Sequence, residues 1–204
     1  MIEQLLPLSE KKIEILRYLY ENESSHIRKI SSELKIHPYQ TKKIIDELVL
    51  NKVLEQKRAG KTIILTINKL SEKIEQLIYL IECYKQKTED KILKNIIKNL
   101  SLFSRNKEIS GCCIFGSYAR GAETKESDVD VLIVVKNKNI EQEIIKKISQ
   151  LSTLLHLRFS PIIMDEKEFL KALEIKDQAL ITLIKPQQRI IIFGIEYFLR
   201  HAFF

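Results

Sequence analysis

Breakers of regular structure are scarce in this chain. Its 204 residues include only five glycines and four prolines. That shortage, with 45% hydrophobic residues, excludes a disordered or linker-dominated chain. The length suits one large domain or two small ones. Cysteine is scarce as well. There are three, two of them adjacent, which make no disulfide framework. Cys112 and Cys113 fall on a predicted strand and read as small core residues, and Cys83 falls on a predicted helix. No Cys/His grouping has zinc-ligand spacing, and the four histidines are scattered. These features fit a reducing, cytoplasmic setting. No stretch approaches the roughly 18 uninterrupted apolar residues of a membrane span. The opening MIEQLLPLSEKK lacks the basic, apolar, small-residue order of a secretory signal. No membrane partner is expected.

Charge is plentiful and uneven. The net charge is +7. Residues 1–70 carry 13 basic against 9 acidic side chains, residues 71–110 carry 8 against 6, and residues 111–204 carry 13 against 12. The excess therefore sits at the front, a pointer toward nucleic acid. A solvated lysine-rich surface gives the same count.

The most informative stretch is Gly116 to Val135, GSYARGAETKESDVDVLIVV. An apolar run from Cys112 to Phe115 precedes it. The pattern predicts a strand, a glycine-bearing turn, a polar excursion, and a second strand opening on two carboxylates. Strand side chains alternate faces, so Asp128 and Asp130 point the same way, with α-carbons about 6.5–7 Å apart. Carboxylates so placed can converge on divalent cations. Gly116 lets backbone approach a ligand closely. The amides after it and the Ser117 hydroxyl can bind phosphate oxygens. The alternative is a plain Gly-Ser turn followed by solvated acids at a strand end.

The stretch resembles the polymerase-β-type nucleotidyltransferase superfamily, in the glycine-serine, ten residues, Asp-x-Asp form of its minimal members. Gly116, Ser117, Asp128 and Asp130 occupy the motif positions. The resemblance implies Mg2+ (or Mn2+) held by Asp128 and Asp130, and ATP or another nucleoside triphosphate as substrate. Gly116, Ser117 and Arg120 would hold its phosphates. It implies attack of an acceptor hydroxyl on the α-phosphorus. Because minimal members often act as antitoxins that transfer AMP to a toxin, a protein acceptor is plausible. Active members carry a third carboxylate on the strand after the Asp-x-Asp strand and its helix. Here that strand reads LRFSPIIM, with Arg158 and Ser160 as its polar residues and no acid. Ser160 sits where the acid is expected, and Asp165 beyond the strand is the nearby substitute.

The first seventy residues have a different character. Ser9 is placed to cap a helix running to about Asn22, with Ile13, Leu16 and Leu19/Tyr20 as its stripe. Ser24-Ser25 start a second helix, with Ile27, Ile30 and Leu34 at helical spacing. Pro38 opens a third, buried through Ile44, Ile45, Leu48 and Val49. Two β-like runs, Val53 to Lys57 and Thr62 to Ile67, flank the basic tip Arg58-Ala59-Gly60-Lys61. Three helices and a hairpin resemble a winged helix-turn-helix. That resemblance implies double-stranded DNA as partner. Tyr39, Gln40, Thr41, Lys42 and Lys43 on the third helix, and Lys57, Arg58 and Lys61 on the wing, would contact it. Asp46 and Glu47 are expected on the far half of the helix. A helical domain used for protein contacts is the alternative.

Leu70 to Arg105 lacks Gly and Pro. Leu70, Ile74, Leu77, Ile81 and Tyr84 form one helical stripe, which would pair protomers in a homodimer or pack within the chain. Ile92, Ile96, Leu100 and Phe103 form another, with Thr88 as its cap. The expected division is 1–69 winged helix-turn-helix, 70–87 helical linker, and 88–204 nucleotidyltransferase domain of alternating helices and strands, an α/β (α+β) class. Two functions stand side by side. One is a DNA-binding protein whose second domain transfers a nucleoside monophosphate. The other is a regulator or antitoxin whose second domain binds nucleotide or partner without catalysis.

Overall fold

Helix capping and apolar periodicity set the elements of the N-terminal half. The computed structural model describes residues 9–203, so the expectation for Met1 to Leu8 lies outside the described residues. The chain divides into two units, residues 1–84 and 85–204.

In the first unit, α1 (Glu10–Asn22) is capped by Ser9, whose side chain accepts from the Lys12 amide. A two-residue strand β1 (Ser24–Ser25) follows, then α2 (Ile27–Glu33) and α3 (Pro38–Leu50). The strands β2 (Leu54–Ala59) and β3 (Thr62–Ile67) form a hairpin. The sheet is antiparallel in the order β1-β3-β2. Ser24 and Ser25 therefore do not start the second helix. They pair with Thr66 and Leu65, and His26 caps α2. The hairpin turn is also tighter than expected. Ala59 pairs with Thr62, leaving Gly60-Lys61 as a two-residue loop with Gly60 at φ +60°. Positive φ at this position is what glycine supplies without strain.

Ile15, Leu16, Leu19, Ile30, Ile45, Leu48 and Leu65 form the core of this unit. Ile81 of α4 (Ile74–Lys85) is buried in the same core, and Leu77 packs against it. Tyr20 also donates to Glu82 at 2.9 Å. The stretch expected as a linker, 70–87, is thus largely a helix built into the N-terminal core. Its stripe is used there at Leu77 and Ile81, while Leu70 stands 90% exposed ahead of the helix.

The second unit runs α5 (Lys91–Ser101), β4 (Ile109–Phe115), α6 (Gly116–Arg120), β5 (Val129–Val135), α7 (Glu141–Leu155), β6 (Phe159–Asp165), α8 (Glu166–Glu174), α9 (Gln178–Leu183), β7 (Arg189–Phe193) and α10 (Ile195–Phe198). Asp90, not Thr88, caps α5 and accepts from the Leu93 amide at 2.6 Å. Leu93, not Ile92, is the buried residue of its first turn.

The four strands lie in the order β6-β5-β4-β7. β4 is antiparallel to both β5 and β7, and β5 and β6 are parallel. A parallel pair needs a crossover, which α7 provides. The mixture of helices with a largely antiparallel sheet makes the unit α+β. On one face Ile114, Val131, Ile133 and Ile192 pack with Leu93, Ile96 and Leu100 of α5 and Ile144, Ile148 and Leu151 of α7. The alternate residues Cys113, Leu132 and Ile191 are equally buried, on the face that α8 and α10 approach. There Phe169, Tyr197 and Phe198 form an aromatic cluster with ring centroids 5.8–6.0 Å apart. Phe169 is fully buried. Phe169→Ala is expected to destabilise the protein by about 3–5 kcal/mol, from lost transfer energy plus a residual cavity. Denaturant unfolding of wild type and variant checks this.

Candidate active site

The site forms where β4 ends and β5 begins. Phe115 pairs across the sheet with Asp130, and Gly116 turns the chain into α6 at φ +72°. A Cβ built on Gly116 would lie 2.2 Å from Asp130 Oδ2. The glycine is therefore required twice, for its backbone angle and for its closeness to the carboxylate. Ser117 follows, half-buried, in a short helix where a turn was expected. Gly121, at φ +64°, ends that helix after Arg120.

Asp128 and Asp130 flank Val129, which is fully buried on the opposite face. The two acids thus share one face, as the alternation predicts. Both are half-buried. Asp130's carboxyl is held above the ordinary aspartate range, chiefly by desolvation and further by repulsion from Asp128, with Arg120 pulling the other way. A carboxylate whose proton affinity is raised by a second one beside it is placed to take a cation. Arg120 also donates to the Gln188 side chain at 2.8 Å.

The parallel register places the third position. Asp130 lies beside Ser160, and the Val129 amide bonds to the Arg158 carbonyl. Ser160 is exposed there, and no acid accompanies it. Asp165 is not a substitute. It pairs with Val135 at the far end of β6. There it caps α8 in a reciprocal box with Glu168. Among the described residues no group of three or more His, Cys, Asp or Glu could hold a metal ion. An ion here would have two side-chain carboxylates to bind, a set that fits a divalent ion whose shell is completed by water and substrate phosphates, as Mg2+ completes its own. Asp128 and Asp130 therefore fit such an ion arriving with a nucleotide.

Arg158 is the residue the sequence alone does not assign. Its Nε lies 2.8 Å from Asp128 Oδ1, and its Nη2 donates to the Glu126 carbonyl at 2.6 Å. Asp128 Oδ1 is shielded from solvent and takes no aligned hydrogen bond, so the contact is an ion pair only. The Arg158 side chain is 72% exposed. A pair this open is worth about 1 kcal/mol or less. The signal lay in the crossover, since a parallel β5–β6 pair sets residue 158 beside residue 128.

In the N-terminal unit the expected DNA-facing residues divide. Tyr39, Gln40, Lys42 and Lys43 are exposed on α3, and Arg58 and Lys61 are exposed on the hairpin. Thr41 is not available. It is fully buried, and its hydroxyl donates to the His37 carbonyl at 3.3 Å. Asp46 and Glu47 lie in the C-terminal half of α3, but Asp46 is paired with Lys42 at 2.6 Å and so shares the lysine's exposed face. Glu47 pairs with Lys12 of α1 at 2.5 Å.

The geometry of the second unit agrees with its sequence relatives. The family described as "Polymerase beta, Nucleotidyltransferase" matches residues 97–192. A curated protein of Methanocaldococcus jannaschii named "Putative protein adenylyltransferase" is 43% identical over 75 residues, 35% of this chain and 75% of that relative. The chain belongs to the polymerase-β-type nucleotidyltransferase family. Members of this family work on nucleoside triphosphates with a divalent metal. No helix among the described residues is long and apolar enough to cross a membrane.

Proposed function

We propose that the protein transfers AMP from ATP to a hydroxyl acceptor, with a protein as the acceptor class: the acceptor oxygen bonds to the α-phosphorus as the α–β phosphoanhydride bond breaks, and pyrophosphate leaves. The observation that carries this reading is the closeness of Gly116 to Asp130, which seats a phosphate-binding turn against a metal-binding carboxylate. The name of the Methanocaldococcus jannaschii relative supports adenylyl as the group and protein as the acceptor. Mg2+ bound through Asp128 and Asp130 would neutralise phosphate charge as it develops. The chain's own residues do the positioning. Gly116 and Ser117 bring backbone and hydroxyl donors to the phosphates, and Arg120 adds a guanidinium on the Asp130 side. The Ser160 position provides no carboxylate to accept the acceptor's proton, so that proton leaves by water or by an acceptor group. A labelled-ATP assay with candidate acceptor proteins tests the reading, and label that reaches neither an acceptor nor the protein itself would defeat it.

The N-terminal unit supports a second function in the same chain, binding of double-stranded DNA. Its element order of helix, short strand, two helices and hairpin supports the winged helix-turn-helix reading. Tyr39, Gln40 and Lys43 form the exposed start of α3, and Lys57, Arg58 and Lys61 line the wing. A homodimer would match two half-sites. Lys43→Ala with Arg58→Ala is expected to weaken binding to promoter-length duplex and to lower the slope of log affinity against log salt by about 1.8, at 0.9 per lost phosphate contact. Fluorescence anisotropy across a salt series reads both. Unchanged affinity and slope would count against these contacts.

A further inference from the structure

The site carries a balance of charge that the motif does not suggest. Two carboxylates, Asp128 and Asp130, face two guanidiniums, Arg158 and Arg120. Arg158 is ion-paired with Asp128, and Arg120 stands near enough to Asp130 for the two charges to act on one another. The formal sum of these four groups is zero. A bare divalent ion finds little net attraction there and must take Asp128 away from Arg158. A triphosphate that brings the ion with it meets a different site. Its oxygens suit both arginines, and its metal suits both carboxylates.

We propose that Arg158 makes this a site for metal-laden nucleotide and not for metal alone. The guanidinium competes with a free divalent ion for Asp128. Once released, it joins Arg120 in holding phosphate oxygens of the nucleotide that delivers the ion. Three features of the fold support the exchange. The parallel register fixes residue 158 beside residue 128. The side chain is largely exposed and able to swing. Its second anchor is a single backbone carbonyl, that of Glu126. With Ser160 in place of an acid beside Asp130, Asp128 and Asp130 are the carboxylates left to ligate the ion that the nucleotide carries.

This inference rests on the metal–nucleotide reading, and the test separates the two. Binding of Mn2+ alone, and of Mn2+ complexed with α,β-methylene ATP, is measured by electron paramagnetic resonance of the free ion and by calorimetry. The proteins are wild type, Arg158→Ala, Arg158→Gln and Asp130→Asn. Arg158→Ala and Arg158→Gln are expected to bind Mn2+ alone about fivefold more tightly, because a positive charge near the ion is gone. They are expected to bind the nucleotide complex about fivefold more weakly. A merely structural role for Arg158 would weaken both probes together. Shifts in one direction for both probes, or no shift in either, would overturn the proposal while leaving the metal–nucleotide site standing. If wild type binds neither probe, or Asp130→Asn changes neither, the underlying reading falls and the proposal falls with it.

Discussion

Asp130→Asn is expected to lower nucleotide transfer by about three orders of magnitude and to leave the protein as stable as before, or more so. The loss follows from the metal. Lewis-acid stabilisation of a phosphoryl centre is worth several kcal/mol, and each 1.36 kcal/mol is a factor of ten in rate. The stability follows from the carboxyl itself. Asp130 titrates above the ordinary aspartate value, first through desolvation and then through Asp128. A carboxyl raised in the folded state penalises folding once it ionises. The penalty is absent below the unfolded value and complete above the folded one. Asn carries no such penalty. The variant should therefore gain on wild type in thermal unfolding at neutral pH, and the gain should vanish as the pH falls below the aspartate range. Equal loss of activity and stability would show that Asp130 is structural. Retained transfer would place the metal elsewhere.

Gly116→Ala is expected to lower transfer by about a hundredfold and to destabilise the protein as well. The added Cβ meets Asp130 Oδ2 at 2.2 Å, so either the α6 turn or the carboxylate must move. A displacement of about 1 Å in a reacting constellation costs roughly 10²-fold. The φ of +72° adds strain of about 1–2 kcal/mol for any residue with a Cβ. Gly121 is the control. It also has positive φ, yet no atom lies within 4 Å of its built Cβ. Gly121→Ala should therefore show the strain in unfolding with much less of the rate loss. Similar rate losses at both positions would mean that backbone angle alone matters.

Much of the second unit was legible because strongly apolar strands alternate there with capped helices. The strand expected to open on the two carboxylates begins at Val129, one residue after the first of them. The errors cluster where neighbouring apolar residues blur helical phase. Ile92 and Leu93 are adjacent, and only packing decides that Leu93 is the buried one. Ser24 and Ser25 have the composition of a helix start, but a distant partner, β3, recruits them as a strand. Thr41 looks polar in the sequence, yet it sits on the inward face of α3, with its hydroxyl bonded to the preceding turn. The site shows the same division. Gly116, Asp128 and Asp130 are local in sequence and follow from spacing. The Arg158 contact depends on the register of β5 and β6, which no local pattern specifies.

The strand order has a consequence for the chain as it is being made. β4 leads directly into Gly116 and lies inside the sheet, with β7 as its outer neighbour. Yet Arg189 follows Phe115 by more than seventy residues. Until the ribosome has delivered β7, one side of the Cys-Cys-Ile-Phe stretch presents bare amides and carbonyls beside apolar side chains. Such an edge invites pairing with another nascent chain. Slow elongation through α8 and α9 would lengthen that exposure, and a product ending before Ile190 would keep it permanently.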